Sequence, residues 1–374
     1  MRIIISGGGT GGHIYPAVTI AKTIAGMVKP CEILFVGTKQ GLESDIVPKE
    51  GFSFATIEAR GFERRLSWDT VRTVYKTMTG LGQSLQIIRR FRPDIVIGTG
   101  GYVCGAVLLT AALMGIPTMI QEQNVIPGVT NRILARFVSR VAAGYPEAAK
   151  FFGKQVDKVF VSGNPIRPEV LEATREEGLK VLDLDGGRLT VLIAGGSRGA
   201  RTINQAMVDV HRHFAGRKDM QILHVTGQSE YNNIVGLIQQ AGIEIEKTGN
   251  IIVKPYLYNM PQALAAADLA VFRAGAVGLA ELTARGIPAI LVPYPFAAEN
   301  HQEFNARVLE EQGAAVVIRD AELTGAKLVA EIEKLLSSRE DLVRMAEASK
   351  RLGRPDAAAV IARMAIDLAG PSGR

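Results

Sequence analysis

The segment at 272–305 reads FRAGAVGLAELTARGIPAILVPYPFAAENHQEFN. It continues the apolar run 269–272 into the small-residue turn RAGA at 273–276, a pattern typical of a strand that ends and becomes a helix. Backbone N–H groups at such a helix start bind phosphate, and Gly275 in the turn lets a ligand approach closely. The segment therefore predicts a parallel α/β domain with an anion-binding turn.

The rest of this segment adds polar side chains that suit a sugar nucleotide. Glu281 lies about one and a half turns into the helix, where its carboxylate can accept hydrogen bonds from sugar hydroxyls. An apolar strand at 289–292 ends at Pro293, and the next element carries two amides, Gln302 and Asn305. This order of features predicts a nucleotide-sugar site.

Apolar strands alternate with helical patterns along the whole chain, which predicts parallel sheets with right-handed crossovers. Glycine-rich loops follow the first strand of each half, GGGTGG at 7–12 and GGSRGA at 195–200. The fold class is therefore α/β, with two Rossmann-like, doubly wound domains that face a central cleft. The expected strands are 3–6, 33–36, 95–97, 118–120 and 159–161, then 190–193, 222–225, 251–253, 269–272 and 289–292.

The composition is that of a globular two-domain protein. The chain has 374 residues, of which 47% are hydrophobic and 21% are charged. Its two cysteines, Cys31 and Cys104, lie in apolar stretches and are expected as buried thiols of a reducing compartment. The apolar run in MRIIISGGG is too short for a signal peptide. The charge-free stretch 95–120 has the length of a membrane span, but its Gly and Pro residues favour a buried strand–helix–strand core.

Positive charge is concentrated in the first half of the chain. Residues 1–163 contain 19 Lys and Arg against 11 Asp and Glu, a net charge of +8, whereas the rest has 24 against 26, a net charge of −2. Such an asymmetry indicates that one half meets an anionic surface. Between 60 and 92, eight basic and two acidic residues are interleaved with apolar residues at helical spacing.

A basic amphipathic segment of this kind indicates contact with a membrane surface. Nucleic acid is a competing partner, but no recognition motif accompanies the charge, and an ordinary helix packed on its domain is the other interpretation. We expect contact with an anionic inner-leaflet membrane surface and no nucleic acid. The residues expected at the membrane are Trp68, Arg72, Tyr75, Lys76, Arg89 and Arg90.

The loop at 7–12 formally matches the dinucleotide fingerprint G-x-G-x-x-G. A dinucleotide site also needs an acidic residue about 20 positions further on, after the second strand, and that strand continues here as VGTK at 36–39. NAD or FAD is therefore disfavoured as a cofactor. A tight turn without a ligand is the simpler alternative, but Thr10 and His13 place polar side chains at a strand end, which favours a functional loop.

His13 is the best candidate for a general base, because imidazole titrates near neutrality and can take a proton from an attacking sugar hydroxyl. Among the other histidines, His211, His213 and His224 are expected to be structural or at the surface. His301 stays open between contact with a donor and a surface position.

Metal-dependent sugar transferases hold their metal with an Asp-x-Asp motif, and this chain contains Asp183-Leu184-Asp185. The motif precedes Gly186 and Gly187 in a connector, so we expect a solvated turn rather than a metal site.

Several motifs resemble, in the same order, those of one family of GT-B glycosyltransferases, the bacterial enzymes that add GlcNAc to lipid I in peptidoglycan synthesis. The resemblance covers essentially the whole chain. Besides 272–305, its motifs are GGGTGGHIYPA at 7–17, GTGGYVCGA at 98–106, QEQNVIPGVTNR at 121–132, GNPIR at 163–167 and AGGSRGA at 194–200.

The resemblance implies an inverting transfer of GlcNAc from UDP-GlcNAc to the MurNAc 4-hydroxyl of lipid I, which gives lipid II, without a catalytic metal or other cofactor. It also implies a peripheral protein on the cytoplasmic face of the cell membrane, with cell-wall synthesis proteins among its partners. Two alternatives of the same fold stay open, another UDP-sugar transferase and a UDP-GlcNAc 2-epimerase. The epimerase has no need of a membrane-binding segment.

Carried over to matching positions, the family's site implies that Ser197 and Arg167 contact the diphosphate, and that Leu257 meets the uracil through its backbone. Glu281 would bind the ribose hydroxyls and Gln302 the donor sugar. The family often has Gln-Gln where this chain has His301-Gln302, so the role of the first position is open. The other implied donor residues are Thr10, Gly11, Gly12, Asn124, Gly275, Ala276, Val277, Gly278, Leu279 and Ala280, and the implied acceptor residues are Gly100, Gly101 and Tyr102.

The interruption at Gly163-Asn164-Pro165 predicts the hinge between domains. We expect a first domain at 1–163, which takes the acceptor and meets the membrane, and a donor domain at 164–340. The helices at 341–374 would follow, with Pro355 as a kink, and the resemblance implies that the last helix crosses back to the first domain.

Overall fold

The computed structural model describes residues 1–59, 68–196 and 199–370, with the helical backbone alone for 68–77. The chain divides into two compact units. The first comprises Met1–Ile166 together with the segment that begins at Pro355, and the second comprises Arg167–Arg354.

The first unit is built on a parallel sheet. Its strands are β1 (Arg2–Gly7), β2 (Glu32–Gly37), β3 (Ser53–Thr56), β4 (Ile95–Gly100), β5 (Thr118–Glu122), β6 (Arg140–Ala143) and β7 (Val159–Val161). They lie in the order β3-β2-β1-β4-β5-β6-β7. β1 pairs with β2 on one side and β4 on the other, so the order reverses at β1. Ligands of doubly wound sheets bind beyond the carboxyl ends of the strands at this point.

The helices that cover this sheet follow the strands in alternation. They are α1 (Gly11–Met27), α2 (Glu43–Lys49), α3 (Trp68–Phe91), α4 (Tyr102–Leu113) and α5 (Val129–Leu134), with a 3₁₀ segment, Pro146–Lys158, before β7. Because helices cover both faces, neighbouring strand residues are buried on opposite sides. Ile3 and Ile5 pack with Ile14 of α1, whereas Ile4 packs with Val107 of α4.

The second unit repeats this architecture with a smaller sheet. Its strands are β8 (Leu189–Ala194), β9 (Met220–Val225), β10 (Ile251–Lys254), β11 (Leu269–Phe272), β12 (Ala289–Leu291) and β13 (Ala315–Val317). All pairs are parallel, in the order β10-β9-β8-β11-β12-β13, so the order reverses at β8.

The first helix of the second unit starts at Pro168, directly after Arg167. The helices of this unit are α6 (Pro168–Glu172), α7 (Arg175–Leu182), α8 (Arg201–Phe214), α9 (Tyr231–Gln240), α10 (Ile245–Thr248), α11 (Met260–Ala266), α12 (Ala276–Arg285), α13 (His301–Glu311), α14 (Gly325–Ser337) and α15 (Arg339–Leu352). Side-chain caps fix several starts: Thr174 accepts from the N–H of Glu177, Thr324 from that of Lys327 and Ser338 from that of Asp341.

The last helix, α16 (Ala357–Ala369), belongs to the first unit. Its Ile361, Ala362 and Ala365 are fully buried in the core that contains Ile3. The prediction that Pro355 kinks a helix is wrong. Helix α15 ends at Leu352, and the chain leaves the helical conformation before α16 begins. Proline removes an N–H donor and disfavours a helix at the preceding residue, so here it separates two helices.

All ten expected strands are present, and the predicted fold class of two doubly wound parallel-sheet domains is confirmed. Within the described ranges, three short strands were missed: β3, β6 and β13. Two of them are sheet edges, and β6 reads RVAA, with little β-branched or aromatic content.

The stretch 95–120 folds as strand, glycine turn, helix and strand, as predicted. No helix among the described residues is both long and apolar enough to span a membrane.

Candidate active site

The loop between β1 and α1 holds His13 in one orientation. Nδ1 of His13 lies 2.9 Å from the carbonyl oxygen of Gly8. A carbonyl oxygen only accepts, so Nδ1 is the donor in this bond, and in a neutral ring the acceptor nitrogen is then Nε2. The backbone of the loop is fixed as well, because the Thr99 hydroxyl donates to the His13 carbonyl at 2.9 Å. Both bonds hold the His13 ring and its backbone in a defined position beside the first strand.

The second glycine loop packs directly against the first. Gly100 and Gly101 both have positive φ, at 112° and 89°. A Cβ at Gly100 would lie 2.9 Å from Nε2 of His13, and a Cβ at Gly101 would lie 2.5 Å from the Gly8 oxygen. Glycine is required at both positions for conformation and for space. These two loops thus bring together the predicted residues 10–13 and 100–102, with Tyr102 exposed at the start of α4.

A buried carboxylate that the sequence did not reveal supports the first loop. Glu43 on α2 is 1% exposed. Its Oε2 accepts from the N–H of Gly9 at 3.0 Å, and its Oε1 accepts from the N–H and hydroxyl of Thr38 at 3.0 and 2.8 Å. Burial opposes ionisation, but the hydrogen bonds from Gly9 and Thr38 outweigh it and lower the pKa of Glu43. The carboxylate is therefore ionised at neutral pH.

Three glycines make room for this carboxylate. A Cβ at Gly8, Gly37 or Gly41 would lie 2.4, 2.5 or 2.1 Å from an atom of Glu43. The N–H of Gly9, at the fingerprint position that faces a pyrophosphate in dinucleotide-binding proteins, donates here to the protein's own anion. This is a physical reason, besides the missing ribose-binding acid, why the fingerprint does not indicate NAD or FAD.

A second missed carboxylate, Glu122 at the end of β5, organises the loop that carries Asn124. Its oxygens accept from the N–H of Asn124 at 2.9 Å, the N–H of Gly128 at 3.0 Å and the Asn131 amide at 2.8 Å. Glu122 is buried, and Asn124 is half-buried at the same edge of the sheet as His13. Asn124 is thus held by a fixed network rather than by an open loop.

In the second unit, the predicted turn and helix form as expected. Gly275 is the residue before α12, and a Cβ there would meet nothing within 4 Å, so the N-terminal N–H groups of α12 are approachable. Glu281 is buried on this helix, and its Oε1 accepts from Nε of Arg167 at 2.8 Å. The two charged residues predicted to hold the donor therefore contact each other. Of the intervening residues, Ala276 and Leu279 are buried, whereas Val277, Gly278 and Ala280 are half-buried.

Amides of α13 connect this turn to the next loop. The Asn305 amide donates to the carbonyl of Ala274 at 3.3 Å. The side-chain oxygen of Gln302 accepts from the N–H of Tyr294 at 2.9 Å, which orients its NH₂ group as the remaining donor. Leu257 lies half-buried after β10, between Tyr256 and Tyr258, whose rings are 4.9 Å apart.

Some predicted site residues lie outside the described part of the chain. Ser197 of the second glycine-rich loop is one of them. Of the residues expected at the membrane, Arg89 and Arg90 are exposed near the end of α3, and the side chains of Trp68, Arg72, Tyr75 and Lys76 are not described.

The remaining histidines and the Asp-x-Asp motif have structural partners. Nε2 of His211 lies 3.0 Å from Nδ1 of His224, and both side chains are buried. His213 is exposed and contacts Glu333. Asp185 accepts from the N–H of Gly187 at 2.8 Å and so closes a turn. Within the described ranges, no group of three or more His, Cys, Asp or Glu side chains is placed to hold a metal ion. The expectation of a reaction without a metal stays a prediction.

Comparisons with known proteins match both units. The glycosyltransferase family 28 N-terminal domain matches residues 3–143, and the family 28 C-terminal domain matches residues 190–361. Two relatives named UDP-N-acetylglucosamine–N-acetylmuramyl-(pentapeptide) pyrophosphoryl-undecaprenol N-acetylglucosamine transferase come from Desulforamulus reducens and Desulforudis audaxviator. The first is 50% identical over 96% of both chains, and the second is 47% identical over 100% of both chains.

Solved structures agree in fold. The MurG protein of Acinetobacter baumannii superposes with a TM-score of 0.77 at 26% identity, over 97% of this chain and 99% of that chain. A UDP-GlcNAc 2-epimerase from Neisseria meningitidis superposes with a TM-score of 0.69 at 13% identity, over 97% of this chain and 99% of that chain, and shows the shared fold alone.

Two doubly wound domains of this kind form the GT-B fold, which glycosyltransferases share with UDP-GlcNAc 2-epimerases, and the family matches of both units assign the chain to the transferases. The chain belongs to glycosyltransferase family 28. The predicted enzyme class, an N-acetylglucosaminyltransferase, is confirmed.

Proposed function

We propose that this chain transfers GlcNAc from UDP-GlcNAc to the MurNAc 4-hydroxyl of lipid I with inversion, and that His13 is the general base. The names of the relatives support the substrates, and they favour the transferase over the epimerase alternative. The observation that carries the mechanism is the bond from Nδ1 of His13 to the Gly8 carbonyl, which leaves Nε2 as the basic nitrogen.

In the proposed reaction, Nε2 of His13 takes the proton of the 4-hydroxyl while the hydroxyl oxygen attacks C1 of the donor sugar. The bond from C1 to the diphosphate breaks, and UDP leaves with the electron pair. Attack on the face opposite UDP inverts the anomeric centre. The imidazolium then releases its proton to water. General-base assistance of this kind contributes about 10²- to 10⁴-fold to a rate.

The leaving diphosphate needs positive potential and hydrogen-bond donors. In the second unit we assign these to Arg167, Ser197 and the N–H groups at the start of α12, whose helix dipole favours an anion there. Glu281 accepts from the ribose hydroxyls, Leu257 meets the uracil, and the NH₂ of Gln302 donates to the sugar. The Arg167–Glu281 contact supports a shared role, since it fixes a guanidinium beside an acceptor before a ligand binds.

The first unit would hold the acceptor. We assign Gly100, Gly101 and Tyr102 to its pyrophosphate, because the two glycines pack directly against the His13 loop and Tyr102 is exposed at the start of α4. Thr10, Gly11, Gly12 and Asn124 line the same edge of the sheet and are assigned to the GlcNAc group. No metal is assigned, so chelators should leave the rate unchanged.

Contact with an anionic membrane surface has support beyond α3. Leu113 at the end of α4 and Ile133 and Phe137 at α5 are 73, 55 and 47% exposed, and α4 contacts α5. Arg136 and Arg140 are exposed in the same stretch. Exposed apolar residues with exposed arginines close by in the sequence suit insertion below anionic headgroups. We infer a peripheral protein on the cytoplasmic face, and we assign no role to nucleic acid.

Release of UDP from UDP-GlcNAc, measured with and without a lipid I analogue, tests the proposal. Acceptor-dependent release with a GlcNAc-bearing lipid product is expected, and acceptor-independent release would favour an epimerase or hydrolase. A His13→Gln variant should lose turnover, whereas His213→Gln, which changes an exposed histidine of the second unit, should not. Equal turnover of both variants would remove His13 as the base.

A further inference from the structure

The Gly8–Gly9 peptide group lies between a buried carboxylate and His13. Its carbonyl oxygen accepts from Nδ1 of His13 at 2.9 Å, and its N–H donates to Oε2 of Glu43 at 3.0 Å. Both bonds use one planar peptide unit, which is trans, so its C=O and N–H point in opposite directions. Carboxylate, peptide and imidazole therefore form one continuous hydrogen-bonded chain.

Resonance couples the two ends of a peptide group. An anion that accepts from the N–H pushes electron density toward the carbonyl oxygen, which then becomes a stronger acceptor. Such chains of hydrogen bonds strengthen one another by about 10–30% per bond, and the effect is larger where water is excluded. Glu43 and Gly8 are both buried.

We propose that Glu43 is a positioning residue for His13 and acts through the Gly8–Gly9 peptide as a carboxylate–peptide–imidazole relay. It keeps the proton on Nδ1, so that Nε2 faces the acceptor as the base, and it stabilises the imidazolium formed when Nε2 takes the proton. The relay rests on the proposed role of His13, and it adds a residue that the motifs of the chain do not mark.

Several residues hold this carboxylate in place. Thr38 saturates Oε1 with its N–H and its hydroxyl, which leaves Oε2 directed at Gly9. Gly8, Gly37 and Gly41 each lack the Cβ that would collide with Glu43. An apolar side chain in this space would leave the N–H groups of Gly9 and Thr38 without their acceptor, so the space is specific for a carboxylate.

Other charged groups on the surrounding elements do not compete for this role. Lys22 of α1 contacts Glu50, and Lys49 of α2 contacts Asp45, both at the surface. Lys39, between β2 and α2, is exposed. On α4, burial raises the pKa of the Cys104 thiol to about 11, so it is neutral and donates to the Ser6 carbonyl. Within the described residues of these elements, Glu43 is thus the buried anion next to the loop.

The test compares Glu43→Gln with Asp45→Asn, which removes the same charge from the same helix at an exposed position. In Glu43→Gln we expect kcat to fall about tenfold with little change in KM for UDP-GlcNAc, and the acidic limb of the kcat profile to move about one unit toward lower pH. Glu43→Asp keeps the charge but shortens the side chain, and should fall between the two. It carries the test if the Gln variant does not fold.

A second pair of measurements separates a relay from simple support of the fold. In a His13→Gln background, Glu43→Gln should have no further effect on kcat, because its action passes through His13. In the ¹⁵N spectrum, wild-type His13 should carry its proton on Nδ1 without any substrate, and Glu43→Gln should shift this population toward Nε2.

Two outcomes would overturn the relay: additive losses of kcat in the double variant, or a His13 tautomer in Glu43→Gln identical to that in Asp45→Asn. If the tautomer shifts but His13→Gln keeps full turnover, the relay holds and the assignment of His13 as the base fails. The two proposals are thereby distinguished.

Discussion

Arg167 donates from Nε to Oε1 of Glu281 over 2.8 Å, from the residue before α6 to the middle of α12. The two residues are 114 positions apart in sequence, yet their charged groups are in direct contact in the second unit. Removing Arg167 leaves the buried Glu281 carboxylate without this hydrogen bond, which costs more than the contact itself contributes. They should therefore behave as one donor-binding element.

Glu281→Gln should raise KM for UDP-GlcNAc by roughly ten- to a hundredfold, the range of a charged hydrogen bond, with a smaller effect on kcat. The losses from Glu281→Gln and Arg167→Met should not add in the double variant. Glu311→Gln, at an exposed position of α13, is the matched control. Unchanged KM in Glu281→Gln would contradict a ribose role.

His13→Gln should lower kcat by about 10²- to 10⁴-fold, because Gln cannot accept and release the proton. UDP-GlcNAc affinity, measured by calorimetry, should stay within about twofold. The variant removes proton transfer in the transition state and no contact that is made equally with the bound substrate. A loss of affinity in parallel with kcat would assign His13 to donor binding instead.

Acid should destabilise the protein through a buried histidine pair. Burial lowers the pKa of His211 from 6.5 to about 4, and burial together with His211 lowers the pKa of His224. The unfolded chain then binds more protons than the folded protein between these values. The free energy of unfolding should fall by about 3 kcal/mol from His211 alone as pH decreases from 6.5 to 4.

Urea unfolding between pH 7 and pH 4 measures this loss. His211→Gln keeps an N–H donor for Nδ1 of His224 but removes one titrating group, so it should flatten the dependence. His213→Gln, on the exposed side of α8, should keep most of it. A wild-type stability that is constant over this range would contradict the assignment.

Vesicle binding should depend on the exposed apolar residues near α5. Ile133→Glu and Phe137→Glu each oppose insertion and add negative charge, so binding to anionic vesicles should weaken roughly tenfold or more. Val181→Glu, at a 53% exposed position of α7, should have little effect. Sedimentation with anionic and zwitterionic vesicles separates the two contributions, and equal losses in all three variants would remove this surface as the contact.

Features set by local pattern could be predicted from the sequence. Ten strands, the glycine loops at their ends and the turn before α12 all reflect periodicity or glycine placement within a few residues. Short strands such as β3 and β13 lie at sheet edges, where burial leaves a weaker apolar signal.

Glu43 and Glu122 could not be predicted in the same way, because their role is set by tertiary placement. Glu43 reaches Gly9 from 34 residues away, and only the folded sheet brings α2 next to that loop. The glycines at 8, 37 and 41 were the sequence signal for the buried Glu43, because each leaves room for its side chain rather than making a turn flexible. The Arg167–Glu281 contact was missed for the same reason, although both residues were candidates.

The return of α16 to the first unit has a consequence for synthesis in the cell. Ile361, Ala362 and Ala365 complete a core whose members outside the α16 segment all lie between Met1 and Phe160. Part of the apolar surface of the first unit therefore stays uncovered until α16 has been translated, and a stop codon before α16 would destabilise residues more than 200 positions earlier in the chain. Pulse-chase proteolysis of chains truncated after Gly353 should reveal this as rapid cleavage within the first 160 or so residues, with the second unit resistant.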